Sequence, residues 1–435
     1  MTTFPSTPRT RAWRAAVSLS VAALLAAIGP TAFAQRAVEQ PGKTCDTATT
    51  PFCDATMAPV LGWKGRVFRL AQHYPASAPK DVQPWLSFDP HRKPQEYLDA
   101  VLAYFYEGNT RSNTEASFDP ALNRVRGWYN APWQDRGTNG REFVHGQTRE
   151  RVSLPGELDP KQTLPWNNYA VGFYNAPGGV TLGKVWANHG NPDAGLATMP
   201  EGTVAAKLLF TTAPVEQVPW LAGSPEWQAY VYDPNDSHPR ATSPRAIRTV
   251  RLLQVDIAVK DRRATDTGWV FGTFVYGGGP GRKAKGGSGS GWQKVSPVGV
   301  MWGNDPGYKP GHGELQQTAL NPAVHMPHLG YQGRLNGPVD NAVSSCMSCH
   351  STAELPQGTM VPPKGADPAP WFRNIESGVP FDAGHKPLDY SLQLEVGLVN
   401  FLRQNPSVFP RSLSAAQVER VHQDIGKPLS RAGDE

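Results

Sequence analysis

Arg251-Leu252-Leu253-Gln254-Val255-Asp256-Ile257-Ala258-Val259-Lys260 places Leu253, Val255, Ile257 and Val259 on alternate positions, with Gln254, Asp256 and Lys260 on the opposite set. A period of two predicts an antiparallel strand, buried on one face and polar on the other. Tyr169–Tyr174, Thr203–Phe210 and Trp269–Tyr276 are further short β-branched or aromatic runs, separated by Gly, Pro, Asn and Asp. Helix candidates flank this block. Pro94 opens one helix, with Leu98, Val101, Leu102 and Phe105 on one face and Gly108 at its end. Asp389–Gln404 reads as a second, with Leu394, Leu398, Phe401 and Leu402 aligned, and Ser414-Ala415-Ala416-Gln417 as a capping box opening a third. The expected class is therefore α+β, an antiparallel sheet at 166–355 between an irregular and helical region at 35–165 and a Pro-rich, then helical, region at 356–435. Trp128–Gly156, with His145 among Arg141, Arg149 and Arg151, reads as structured loop, and Gly277–Gly291 as a mobile Gly/Ser/Lys loop.

The chain of 435 residues is 39% hydrophobic and 18% charged, which excludes a disordered polyelectrolyte. Arg9, Arg11 and Arg14 precede an apolar run from Ala15 to Ile28, and Ala32-Phe33-Ala34 supplies the small residues that a signal peptidase reads. Residues 1–34 are thus expected to be a signal peptide cut between Ala34 and Gln35, the mature chain being periplasmic. Loss of those arginines takes the net charge from +5 to +2, too little to point to nucleic acid or a membrane surface. No later stretch has the roughly 18 apolar residues of a membrane span.

The four cysteines form two close pairs. Cys346-Met347-Ser348-Cys349-His350 is the C-x-x-C-H pattern of c-type haem attachment. Two thiols one helical turn apart can add across the haem vinyl groups, and the adjacent imidazole can reach the iron. A zinc site would need two further ligands at matching spacing, and the chain has no second C-x-x-C. One covalently held haem c is expected, with His350 as proximal ligand. Cys45 and Cys53 are expected to close a small disulfide loop in an oxidising compartment, free thiols being the alternative.

Pro200-Glu201-Gly202-Thr203-Val204-Ala205-Ala206-Lys207 resembles the D-G-T-x-x-x-K strand of the cytochrome P-460 family. Asp256–Asp261 and Gly268-Trp269-Val270-Phe271 resemble that family's next two strands, and the haem motif follows in the same order. The resemblance covers roughly 180–355. It implies a haem packed on an antiparallel sheet, a five-coordinate iron, and chemistry on hydroxylamine or nitric oxide. Lys207 stands where that family bonds a lysine to the haem edge, whereas relatives of the cytochrome c′-β type lack the cross-link. The residues alone leave Lys207 open between a haem-edge contact and an ordinary strand-rim lysine reaching water. Asp340 is near the haem motif but is not matched to the family's distal carboxylate.

The competing expectation is a six-coordinate electron carrier with a Met axial ligand, Met360 first, Met301 or Met326 otherwise. His325 and His328 are a weaker candidate for a second metal. Either cytochrome reading calls for a redox partner protein, and the open-site reading adds a small-molecule ligand.

Overall fold

The computed structural model describes residues 62–64, 68, 70–110, 118–134, 147–232, 245–278, 291–325 and 329–425. The signal-peptide, Cys45–Cys53, His145, Met326 and His328 readings, and most of the Gly277–Gly291 loop, lie outside them. The described residues all belong to the unit Glu39–Glu435.

An eight-stranded sheet organises that unit. Its strands are β1 (Thr148–Arg149), β2 (Asn168–Tyr174), β3 (Val204–Thr211), β4 (Glu226–Tyr232), β5 (Arg245–Lys260), β6 (Trp269–Tyr276), β7 (Val295–Met301) and β8 (Thr318–Leu320). The order is β1-β2-β3-β5-β6-β7-β8, with β4 paired to the first half of the long β5, and every pairing is antiparallel. The helices are α1 (Pro94–Tyr106), α2 (Ala176–Val185), α3 (Cys346–His350), α4 (Leu392–Gln404) and α5 (Ala415–Ile425). A small ribbon, β9 (Glu354–Leu355) against β10 (Lys386–Pro387), completes the α+β architecture. No helix of the described residues is long and apolar enough to cross a membrane.

Each sheet face has its own core. On one, Leu98, Val101 and Phe105 of α1 pack on Val255, Ile257, Val259 and Phe274. Gly272 allows that approach, because a Cβ there would stand 2.3 Å from Leu98 Cδ2. On the other, Leu394, Leu398 and Phe401 of α4, with Phe381 and Leu388, share a cluster with Trp269, Phe271 and Met301.

This second layer overturns the expectation that β5 turns its polar face to water. Gln254 is fully buried, and Lys260 is only 11% exposed, paired at 2.9 Å with Asp389. Segments 80 or more residues downstream cover that face, which no local pattern in β5 records. The second helix also begins later than its periodicity suggests. Ser391 caps it by accepting from Leu394 N, while Asp389 and Tyr390 sit in the left-handed region, at φ 48° and 66°. The capping box at α5 is as read, with Ser414 N donating to Gln417 Oε1 and Gln417 N to Ser414 Oγ.

Candidate functional site

Antiparallel register sets Gly172, Lys207, Asp256 and Thr273 side by side across four strands. One step along, the row is Tyr174, Ala205, Ala258 and Phe271. Two alanines between aromatic walls leave a shallow floor, while the first row supplies charge. Gly172 adds to the opening, since any Cβ there would collide with the amide of Gln393, which lies over it.

The C-x-x-C-H segment forms α3 above this floor. Ser345 and Ser348 exchange side chain-to-backbone hydrogen bonds of 3.0 and 2.8 Å, a capping box that stabilises a five-residue helix. One turn of helix then places Cys346 and Cys349 on neighbouring positions. Cys346 Sγ lies 3.4 Å from Thr273 Oγ1, which ties the motif to the polar row.

His350 Nδ1 is 2.8 Å from the Tyr390 carbonyl, so Nδ1 carries the proton and donates it there. That leaves the Nε2 lone pair as the ligand atom, the arrangement by which a backbone acceptor orients a metal-binding imidazole. Phe271 flanks the ring, with centroids 4.8 Å apart. Tyr390 is held in its left-handed conformation by its neighbour. The Asp389 carboxylate accepts from Met199 N at 2.7 Å, Trp269 Nε1 at 3.0 Å, Lys260 Nζ at 2.9 Å and Ser377 Oγ at 2.6 Å. Positive φ at such residues costs on the order of 1–3 kcal/mol, which this dense set of bonds offsets.

Around the cleft three carboxylates, Glu150, Asp256 and Asp340, face Lys207. Lys207 Nζ pairs with Glu150 at 3.1 Å. Gln254 Nε2 bridges Asp256, at 2.8 Å, and Asp340, at 3.1 Å. Arg151 grips Glu157 and donates to the carbonyls of Val339 and Asp340, fixing the loop before α3. Burial and the Asp340 charge push Asp256 up to about 7, against the opposing pull of Lys207. Burial lowers the Lys207 ammonium, but Glu150, Asp256 and Asp340 outweigh it and hold its pKa above the ordinary value. Burial takes His350 down to about 4, so the imidazole is neutral at neutral pH, and pushes Cys349 up to about 12. Burial, then Asp256 and Asp340, raise Cys346 well above the usual thiol range.

The cleft encloses about 1170 Å³ including its mouth and adjoins a hollow of about 520 Å³. Lys207, Asp256, Phe271, His350, Leu392 and Gln393 line both. The donor set is two thiols and one oriented imidazole on one wall, an alanine and aromatic floor, and charge at one end. A flat apolar macrocycle with polar edges fits that set.

Of the residues expected from the sequence, Cys346, Cys349, His350, Lys207, Asp340 and Met360 all line the cleft. Met301 is instead fully buried in the core, and His325 is exposed. Glu150, Asp256, Tyr390 and Gln393 were missed. Asp256 carried a signal, an acid in a strand whose register sets it beside Lys207, whereas Glu150 follows a two-residue strand with no periodicity to read. No family model matches the chain, and neither a curated protein nor a solved structure does.

Proposed function

We propose that the chain is an exported, periplasmic c-type cytochrome of the cytochrome P-460 kind, carrying one haem c and acting on hydroxylamine or nitric oxide at an open distal position. The observation that carries this reading is the His350 imidazole, neutral, with Nδ1 committed to the Tyr390 carbonyl, beside two thiols one helical turn apart at the same cleft. Bound there, haem supplies an iron that exchanges one electron and accepts small ligands. Cys346 and Cys349 would anchor it and His350 Nε2 would ligate it. Tyr390 fixes the imidazole orientation and makes it a better donor. Asp256, with a pKa near 7, can hold or release a proton at its carboxylate at working pH, the property wanted of an acid–base group. Lys207 holds positive charge among these carboxylates at the position where the family's cross-link stands. Leu392 and Gln393 narrow access for water.

Met360 supports a second reading, because it lines the same cleft. A thioether on the iron would give a six-coordinate electron carrier that works with a redox partner protein. Optical spectra of the purified holoprotein, oxidised and reduced, with and without nitric oxide, separate the two. The proposed function expects a five-coordinate ferrous spectrum that shifts with the gas, and a strongly red-displaced Soret band if Lys207 is bonded to the haem. A sharp low-spin spectrum indifferent to nitric oxide would overturn it in favour of the carrier.

A further inference from the structure

The connection between α3 and α4 holds a second group of ligand atoms, away from the sheet. Antiparallel pairing of β9 with β10 sets Glu354 opposite Pro387. The tight turn Asp382-Ala383-Gly384-His385, closed by His385 N donating to Asp382 O at 3.1 Å, returns two more side chains to the same end of that ribbon. One ligand atom each from Glu354, Asp382 and His385 lies within 4.8 Å of the others.

Two further observations separate this group from a chance cluster of acids. His385 Nδ1 is 2.8 Å from Glu354 Oε1, yet it has no aligned hydrogen-bond partner. Its side chain is nine-tenths buried and that of Glu354 wholly so. Atoms that close must share a positive charge, either a proton or a cation bound by both lone pairs. In addition, Gly358 leaves open space between the acids, and a methyl group there would stand 3.2 Å from Glu354 Oε1 and 3.4 Å from Asp382 Oδ2. The neighbouring charges do not fill the role of that cation. Arg373 donates to the carbonyls of Pro370 and Phe381, and Arg420 lies on the outer ring nitrogen of His385 at 3.3 Å. Glu395, at the start of α4, adds a buried oxygen without a partner, and burial, then the Glu354 charge, hold its pKa well above the usual carboxylate range.

We propose that Glu354, Asp382 and His385 form a divalent-cation site of the zinc type. One imidazole nitrogen with two carboxylates is a zinc donor set, and water would complete four-coordination. Binding requires His385 Nδ1 unprotonated, so the exposed Arg420 swings away as Nε2 takes the proton. The ion would tie β9, four residues past His350, to β10, just before the Tyr390 carbonyl that orients His350. It would act as a structural clamp, and its existence does not depend on the haem reading.

The test uses the holoprotein as purified, stripped with EDTA and titrated with zinc chloride by calorimetry, with thermal unfolding in parallel. Wild type is expected to bind one equivalent and to melt at a higher temperature with zinc. Asp382→Asn, on an exposed turn, and His385→Gln should each weaken binding by at least about ten-fold, the scale seen for losing metal-site partners. Asp382→Asn should also melt as wild type does without zinc, which excludes misfolding as the cause. A flat titration in wild type, as a metal-free His385–Glu354 hydrogen bond would give, overturns the proposal. So does zinc binding of unchanged stoichiometry and affinity in both variants.

Discussion

The two faces of the sheet differ by one residue along β5. Val255, Ile257 and Val259 point into a layer closed by α1 and an aromatic group in which Phe105 meets Phe118, Trp128 and Phe173 at 4.9 to 5.9 Å. Asp256 and Ala258 point into the cleft under α3 and the Asp389–Gln393 segment. On the first face a regular amphipathic helix meets large side chains, and each buried aliphatic or aromatic contributes roughly 1.5–3 kcal/mol. On the second, the sheet offers alanine, glycine and paired charges at the cleft, which is covered by one-turn α3, the left-handed Asp389–Tyr390 backbone and the first turn of α4. Space and titratable groups persist there because small and charged side chains line the sheet beneath that cover. One face is closed core throughout, and the other combines core with an open, charged cleft.

That division can be broken by experiment. The largest effect is expected from replacing Cys346 and Cys349 by Ser together. Covalently held haem, read by haem staining of the denatured protein, should vanish, and any retained stain would deny the cleft its proposed occupant. Phe105→Ala, on the closed face, should lower the unfolding free energy by about 3–5 kcal/mol in denaturant titration while leaving the haem spectrum unchanged. A spectral change there would mean that the faces are mechanically coupled. Asp256→Asn tests the open face alone. Because Asp256 is raised to about 7, its charge appears as pH climbs through neutrality. Negative charge favours ferric iron, so the wild-type midpoint potential should fall there with a slope of up to about 59 mV per pH unit, the limit for one proton per electron. The Asn variant should be flat, and an equal slope in both would remove Asp256 from the site. The smallest effect should come from Gly172→Ala, which displaces the flexible Gln393 amide. It should cost less than about 1.5 kcal/mol of stability while changing the rate of nitric oxide binding in stopped flow.

The closed face was legible because its information is local. Alternation in β5, and the 98, 101, 102 and 105 spacing of α1, each lie within one element and appear where the periodicity puts them. The open face was legible only at its motif. Lys260 reads as a solvent-facing strand end, yet its partner Asp389 is 129 residues away. Glu150 reads as part of a charged loop, yet it meets Lys207 across the mouth of the cleft. Asp382 and His385 lie in a stretch that reads as connection, and only the ribbon pairing brings them to Glu354.

The sequence by itself determined the central strands β2, β3, β5 and β6, the apolar faces of α1 and α4, the capping box of α5, and the turn of chain that spaces Cys346, Cys349 and His350. These follow from dihedral preference and from burying alternating or helically spaced apolar groups, which act over a few residues. Only the tertiary structure decided which carboxylates stand beside Lys207, which carbonyl takes the His350 proton, and that both sheet faces are covered. Those outcomes depend on how distant segments close over a surface, and a polar residue satisfied by such a segment carries the same local pattern as one facing water.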